Sequence, residues 1–406
     1  MESLPFDTLL APESIDTSLV NVRRDIHAHP EICFEEHRTS ALVANMLQGW
    51  DIETHTGLAG TGVVGIIRGA APGKTIGLRA DMDALPLQEA NAFEHRSTHS
   101  GKMHACGHDG HVAMLLGAAQ ELAKERSFHG TIHLIFQPGE ESGVGAKKML
   151  DDGLFERFPC DAVFALHNWP GIPEGHFATC PGPIMASCNE FHITVKGRGA
   201  HAALPHNGMD PIFAAAQILN GLQSVITRNK RPIDSAVLSV TQFHAGETNN
   251  IIPEVAWLSG TVRTFSKEVL SQIEERMRVI AYGTARAHGC EVEFDFIRQS
   301  PATVNDPSQT VFATAVMESM VGSGRVDRSV EPTMGAEDFS YMLERVPGCY
   351  AFIGNGEGGH REQGHGLGPC MLHNPSYDFN DALLPIGAAY FVNLARAYLT
   401  ELPATP

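Results

Sequence analysis

Three motifs before residue 189 and one after residue 297 carry side chains of one chemical kind, and the run between them reads as a fold of its own. Ahead of it stand Cys106-Gly107-His108-Asp109-Gly110-His111, Gln137-Pro138-Gly139-Glu140-Glu141, and His167 in His-Asn-Trp-Pro; beyond it stands His373 in His-Asn-Pro-Ser-Tyr-Asp-Phe-Asn-Asp. The intervening run predicts strand Phe191–Val195, helix Asp210–Ile226, strands Ala236–Phe243 and Val255–Val262, helix Lys267–Ala287 and strand Val292–Ile297. That β-α-β-β-α-β order is the split pattern of a ferredoxin-like unit. Asp210-Pro211 is a good helix start, a cap followed by proline in the first turn. If all four motifs serve one site, residues 1–188 and 298–406 form a single domain and 189–297 is inserted into it.

The flanking sequence predicts an α/β domain. Val22 to Ala28 and Thr39 to Trp50 read as helices, whereas Val63 to Ile67 and Thr75 to Ala80 are β-rich runs bounded by glycines. Val112, Leu115, Leu116, Ala119 and Leu122 follow the spacing of a buried helical stripe. Thr131 to Phe136, Ala162 to Leu166 and Tyr350 to Ile353 read as strands, and Asp306 to Met320 and Asp381 to Tyr398 as helices. Alternating strands and helices predict a mixed sheet with helices on both faces. The glycine-rich stretch Gly354 to Gly368 reads as a loop, either mobile and shaped by substrate or a plain surface connection.

Composition narrows the partners. Lys and Arg number 29 against 47 Asp and Glu, a net charge of −18, which argues against nucleic acid or an anionic membrane surface. No apolar run approaches the roughly 18 residues needed to span a bilayer. Met1 to Leu19 has no apolar core of signal-peptide type. Eight cysteines scattered through 406 residues make no disulfide framework, so the expected home is the reducing cytoplasm.

Thiolate, imidazole and carboxylate are the ligands that zinc or manganese take. Cys106 and His108, separated by one glycine, can face a common centre if the backbone turns there, and a thiolate can bridge two cations. Glu141, His167 and His373 complete a ligand set. Two adjacent carboxylates cannot easily both bind one ion, so of Glu140 and Glu141 one belongs on metal and one on the attacking water. Asp81 and Asp83 follow a strand and either orient the ligating imidazoles or cap the strand end. His111, a turn beyond His108, reads as a helix-surface histidine, with support of the ligating residues as the alternative. In the inserted run, His201 and His206 lie in a turn from which either can reach a site, and Asn250 and Arg263 are candidate carboxylate binders. Two other chemistries fit parts of the pattern: a cysteine hydrolase with Cys106 as nucleophile, and a non-catalytic amino-acid-binding or metal-binding protein.

The segment Arg23-Arg24-Asp25-Ile26-His27-Ala28-His29-Pro30-Glu31 and, after it in order, the motifs MHACGHDGH, FQPGEE, HNWP, GRGAHAALPH, GAEDFS and HNPSYDFND resemble the hippurate-hydrolase and aminoacylase-type amidohydrolases. That branch includes the indoleacetyl-amino-acid hydrolases and belongs to the aminoacylase/carboxypeptidase metallopeptidase superfamily. The resemblance implies hydrolysis of N-acyl amino acids with two divalent transition-metal ions, manganese or zinc, with nickel or cobalt as alternatives. It implies Cys106 bridging the ions, His108 and His167 on one, Glu141 and His373 on the other, and Glu140 as general acid/base. His201 would polarise the scissile carbonyl from the lid of a second subunit, and Asn250, Arg263 and Gly335 would hold the substrate carboxylate. The lid would mediate a dimer or a dimer of dimers. A carboxypeptidase or dipeptidase would use the same site. The wider superfamily carries His-x-Asp where this chain has Asp81-Met82-Asp83, which leaves the role of Asp81 open.

Overall fold

A computed structural model describes residues 9–16, 18–361 and 363–400. The reading of Met1 to Leu19 falls in part on residues 1–8 and 17, outside the described residues. The chain divides into two compact units. One extends to Ile184 and resumes at Val304–Glu331 and from Asp338 onward; the other comprises Met185–Thr303 and Pro332–Glu337.

The first unit is built on a mixed eight-stranded sheet. Its first strands are β1 (Glu53–Leu58), β2 (Gly62–Arg68), β3 (Ala71–Asp81), β4 (His129–Gln137), β5 (Ala162–Pro170) and β6 (Phe177–Ala178). In space the order is β1-β2-β4-β3-β5, then Gly348–Gly356, β6 and Val326–Asp327. The centre is parallel: β3 pairs with β4 and with β5, and β5 pairs with Gly348–Gly356. These strands are buried on both faces, so they read as near-continuous apolar runs such as Ile132, Leu134, Ile135 and Phe136. β1 had no such signal. It is a polar edge strand, Glu-Thr-His-Thr-Gly-Leu, held by antiparallel pairing to β2, with Leu58 its one buried residue.

Helices α1 (Leu19–Ala28), α2 (His37–Gly49) and α3 (His108–Lys124) follow the apolar spacing. Nearly every residue of α3 is buried, the polar His108, Asp109 and His111 among them. It packs against α1, β3 and the terminal helix Leu383–Thr400. A buried ion network ties these elements together. Arg23 of α1 is fully buried and pairs with Asp109 at 2.9 Å, with Asp378, and with Asp381 at 3.4 Å. The glycine-rich stretch is pinned to this network: His365 meets Asp378 at 3.0 Å, and Gly366 donates its N–H to Asn91 at 2.9 Å.

The second unit has its own core around a four-stranded antiparallel sheet. Its strands are Cys188–Lys196, Ala236–Ala245, Val255–Thr264 and Glu291–Ser300, with helices Pro211–Ser224 and Lys267–Ala287 packed on it. In space the second and third of these strands come first, then the first and the fourth, the ferredoxin-like arrangement. Asp210 caps its helix by accepting from the N–H groups of Ile212 and Phe213. The division differs from the expected one at 188 and 298: residues 185–188, residues 298–303 and Pro332–Glu337 belong with the second unit. Ala186 donates its N–H to the carbonyls of Thr333 and Gly335, pairing that no periodicity announces. No described helix is long and apolar enough to cross a membrane.

His27 gives the first unit a pH-dependent term. Its ring is fully buried, 2.9 Å from Asp109 and 3.3 Å from Glu89. Burial pushes the imidazolium down, but Asp109 and Glu89 outweigh it and lift the pKa to about 9 from an ordinary 6.5. A raised folded pKa gives stability fully present below 6.5 and lost as pH rises through 9. The melting temperature is expected to fall by about 5 °C between roughly pH 6 and pH 10. His27→Gln should flatten that slope; equal slopes in both proteins would show that His27 is neutral when folded.

Candidate metal centre

Parallel α/β sheets present ligand sites beyond the carboxyl ends of their strands, and the candidate residues gather there. Asp81 ends β3 and Asp83 follows it, Glu140 and Glu141 follow β4, and His167 lies on β5. Cys106 and His108 flank Gly107, the residue that starts α3 with φ +90°. A Cβ on Gly107 would stand 2.3 Å from Asn168 Oδ1 and 2.5 Å from the Tyr377 hydroxyl. Only glycine allows this turn, and the turn sends the thiol and the imidazole to the same side.

Cys106, His108 and Glu141 offer ligand atoms within 4.8 Å of one another, and so do Asp81, His108, His111 and His167. Cys106 Sγ is 3.5 Å from His167 Nε2, His108 Nε2 is 4.0 Å from Glu141 Oε1, and His373 Nε2 is 3.3 Å from that same oxygen. The five expected ligands are thus one cluster. Four are buried or nearly so, whereas the His373 side chain is 55% exposed and marks the open side.

The histidines are oriented as ligands. His108 Nδ1 lies 2.9 Å from the Asp83 carbonyl and His167 Nδ1 lies 2.7 Å from the Asn168 carbonyl. A carbonyl can only accept, so each Nδ1 carries the proton and each Nε2 lone pair points into the cluster. His108 Nε2 and Glu141 Oε1 are buried and lack a hydrogen-bond partner. A cation between these two atoms, 4.0 Å apart, would satisfy both.

Charge points the same way. Burial, Glu141, Glu140 and Asp81 push the Cys106 thiol well above its ordinary range. Burial pushes His108 down, but Asp81 and Asp83 outweigh it and lift it to about 10. The cluster thus holds more negative charge than its surroundings balance, and its residues fit a divalent transition metal in donor type, orientation and charge.

The supporting residues differ in part from the sequence reading. His111 is not on the helix surface. It is 1% exposed, with Nδ1 2.6 Å from Asp81 and Nε2 2.7 Å from the Asn168 side chain. A histidine between apolar positions on the same helix gave no warning of these partners. Asp81 and Asp83 support the cluster: Asp83 accepts from the N–H groups of both Glu140 and Glu141, at 3.0 Å each.

His201, Asn250, Arg263 and Gly335 belong to the second unit. His201 pairs with Ile251 on a short ladder, which brings it beside Asn250, whose carbonyl accepts from Ala202. Both are exposed. His201 Nδ1 accepts from the Ala203 N–H at 3.1 Å, leaving Nε2 as the donor. Arg263 lies on strand Val255–Thr264 and bonds Thr261, and Gly335 bonds Ala186 and Thr333; neither contact joins them to His201.

Residues 77–397 match the model of peptidase family M20/M25/M40. The chain is 40% identical over 392 residues to a hippurate hydrolase of Campylobacter jejuni, covering 96% of this chain and 99% of that protein. It is 38% identical over 395 residues to an N-acetylcysteine deacetylase of Bacillus subtilis, covering 97% and 100%. A solved Bacillus subtilis structure, described as a dinuclear metal binding peptidase from the M20 family, superposes with a TM-score of 0.81 at 35% identity, over 95% of this chain and 99% of that one. The chain belongs to peptidase family M20/M25/M40 and is a metal-dependent amidohydrolase.

Proposed function

We propose that the protein hydrolyses N-acyl amino acids of the hippurate type, releasing a carboxylic acid and a free amino acid. The observation that carries this reading is the convergence of Cys106, His108, Glu141, His167 and His373 beside Glu140, in a chain similar to hippurate and N-acetylcysteine amidohydrolases. Cys106, His108, Glu141, His167 and His373 would hold two divalent ions, manganese or zinc. Such ions, when bound, polarise an amide carbonyl and make water acidic near neutral pH.

The chain's own residues do the rest. Glu140 takes a proton from the attacking water and returns it to the leaving amine nitrogen, so one carboxylate serves as base and then acid. Asp83 fixes its backbone by accepting from its N–H. His201 donates Nε2–H to the carbonyl oxygen as negative charge develops there, the tautomer favoured by the Ala203 contact. Asn250, Arg263 and the Gly335 backbone bind the substrate carboxylate. The second unit acts as a lid and joins subunits in a dimer or a dimer of dimers, which its exposed Phe213, Ile251 and Ile297 support. Eight free cysteines support a cytoplasmic setting.

Metal-reconstituted protein should hydrolyse hippurate, acetyl-amino acids or indoleacetyl-amino acids, and should fail on the same substrates with the α-carboxylate amidated. Faster turnover of dipeptides than of any acyl amino acid would favour a carboxypeptidase instead. Glu140→Gln should keep metal and substrate binding while kcat falls roughly 10²–10⁴-fold; normal turnover would remove Glu140 from its role. Cys106→Ala should lose most bound metal by elemental analysis. His201→Ala should lower kcat roughly 10²–10³-fold with metal content unchanged, and undiminished catalysis would take His201 out of the mechanism.

A further inference from the structure

Beneath the metal cluster lies a second polar group that the proposed chemistry does not use. Arg79, Asp81, Gln137 and Asp338 are each no more than 2% exposed. The Arg79 guanidinium donates in three directions: to Asp81 at 2.7 Å, to the Gln137 side-chain oxygen Oε1 at 2.8 Å and to Asp338 at 3.2 Å. Asp338 is held by further donors, Gln137 Nε2 at 2.7 Å on one oxygen and the Ala146 N–H at 2.9 Å on the other. Its own backbone N–H then donates to Glu140 Oε1 at 3.4 Å.

We infer that Arg79, Gln137 and Asp338 form a positioning unit for Glu140, acting through the Asp338 backbone amide. Asp83 fixes the Glu140 main chain from one side, and the Asp338 amide fixes its carboxylate from the other. A backbone N–H cannot be aimed by its own rotamer. It is aimed by whatever anchors its residue, and here the anchor is the Asp338 carboxylate with donors from three separate places in the chain. The same guanidinium also holds Asp81, which supports His111 and lies 3.8 Å from His108 Nε2. Arg79 therefore links the residues that support the metal ligands to those that orient the proton carrier. A planar fork suits this task; the point charge of a lysine does not. An ångström of drift in a catalytic group is enough to cost about 10²-fold in rate.

This inference rests on Glu140 as the proton carrier, so Glu140→Gln is measured alongside. The test uses Asp338→Asn, and Gln137→Met as a milder variant that leaves Arg79 paired. Metal content and metal affinity, by elemental analysis and chelator competition, are read together with kcat and KM on an acyl amino acid. We expect kcat to fall roughly 10–100-fold in Asp338→Asn and several-fold in Gln137→Met. KM should change less than twofold, with two ions retained per chain. A merely structural role would lower the yield or melting temperature but leave kcat per metal-loaded molecule intact. A kcat within twofold of the parent in Asp338→Asn, or in Gln137→Met should the first variant not fold, overturns the inference while an inactive Glu140→Gln leaves the proton carrier in place. An active Glu140→Gln overturns both.

Discussion

Buried negative charge at the carboxyl ends of three parallel strands is the constraint on which the rest of the site depends. Asp81, Asp83, Glu141 and the Cys106 thiol stand together with little water, and such a group is unfavourable without countercharge. Arg79 balances part of it from below. What remains falls at His108 Nε2 and Glu141 Oε1, neither of which forms a hydrogen bond. Ligands that are held in place but incompletely satisfied are what a metal site looks like chemically. The same arrangement would be a defect in a protein with no cation to bind.

The fold holds these groups against their mutual repulsion in two ways. Strand ends bring Asp81, Glu141 and His167 to one edge by backbone pairing, which does not depend on side-chain charge. Glycines then let other chain segments approach closely. Gly107 turns beside Asn168 and Tyr377, and Gly110 leaves room for the Phe379 ring, which would stand 2.3 Å from a Cβ there. Phe379 and Tyr377 belong to the segment that carries His373, and Asp378 in the same segment is fixed by Arg23 of α1. His373 donates its N–H to the Ala105 carbonyl at 2.8 Å, and the Arg23–Asp378 pair ties its segment to α1.

Much of this was legible in the sequence because ligand chemistry is local in type even when it is distant in position. The cysteine, histidines and glutamates stood in short motifs, and the β-α-β-β-α-β run was visible from its periodicity. The supporting residues were less legible. Arg79 lies 259 positions from Asp338, and a lone arginine in a strand carries no mark of so distant a partner. His111 read as a surface residue because helical spacing reports apolar neighbours, not a carboxylate arriving from β3. β1 was missed because an edge strand needs backbone partners more than apolar side chains. Pro332–Glu337 was placed in the wrong unit because its pairing with Ala186 has no composition of its own.

We propose that Cys106, His108, Glu141, His167 and His373 would hold two cations, with Glu140 left free beside them. Anomalous diffraction from metal-loaded crystals, recorded at the absorption edge of the loaded ion, tests it most directly. The expected result is two peaks, both within bonding reach of Cys106 Sγ, one also reached by His108 and His167 and the other by Glu141 and His373, with Glu140 bonded to neither. A single peak, or peaks away from Cys106, would contradict it.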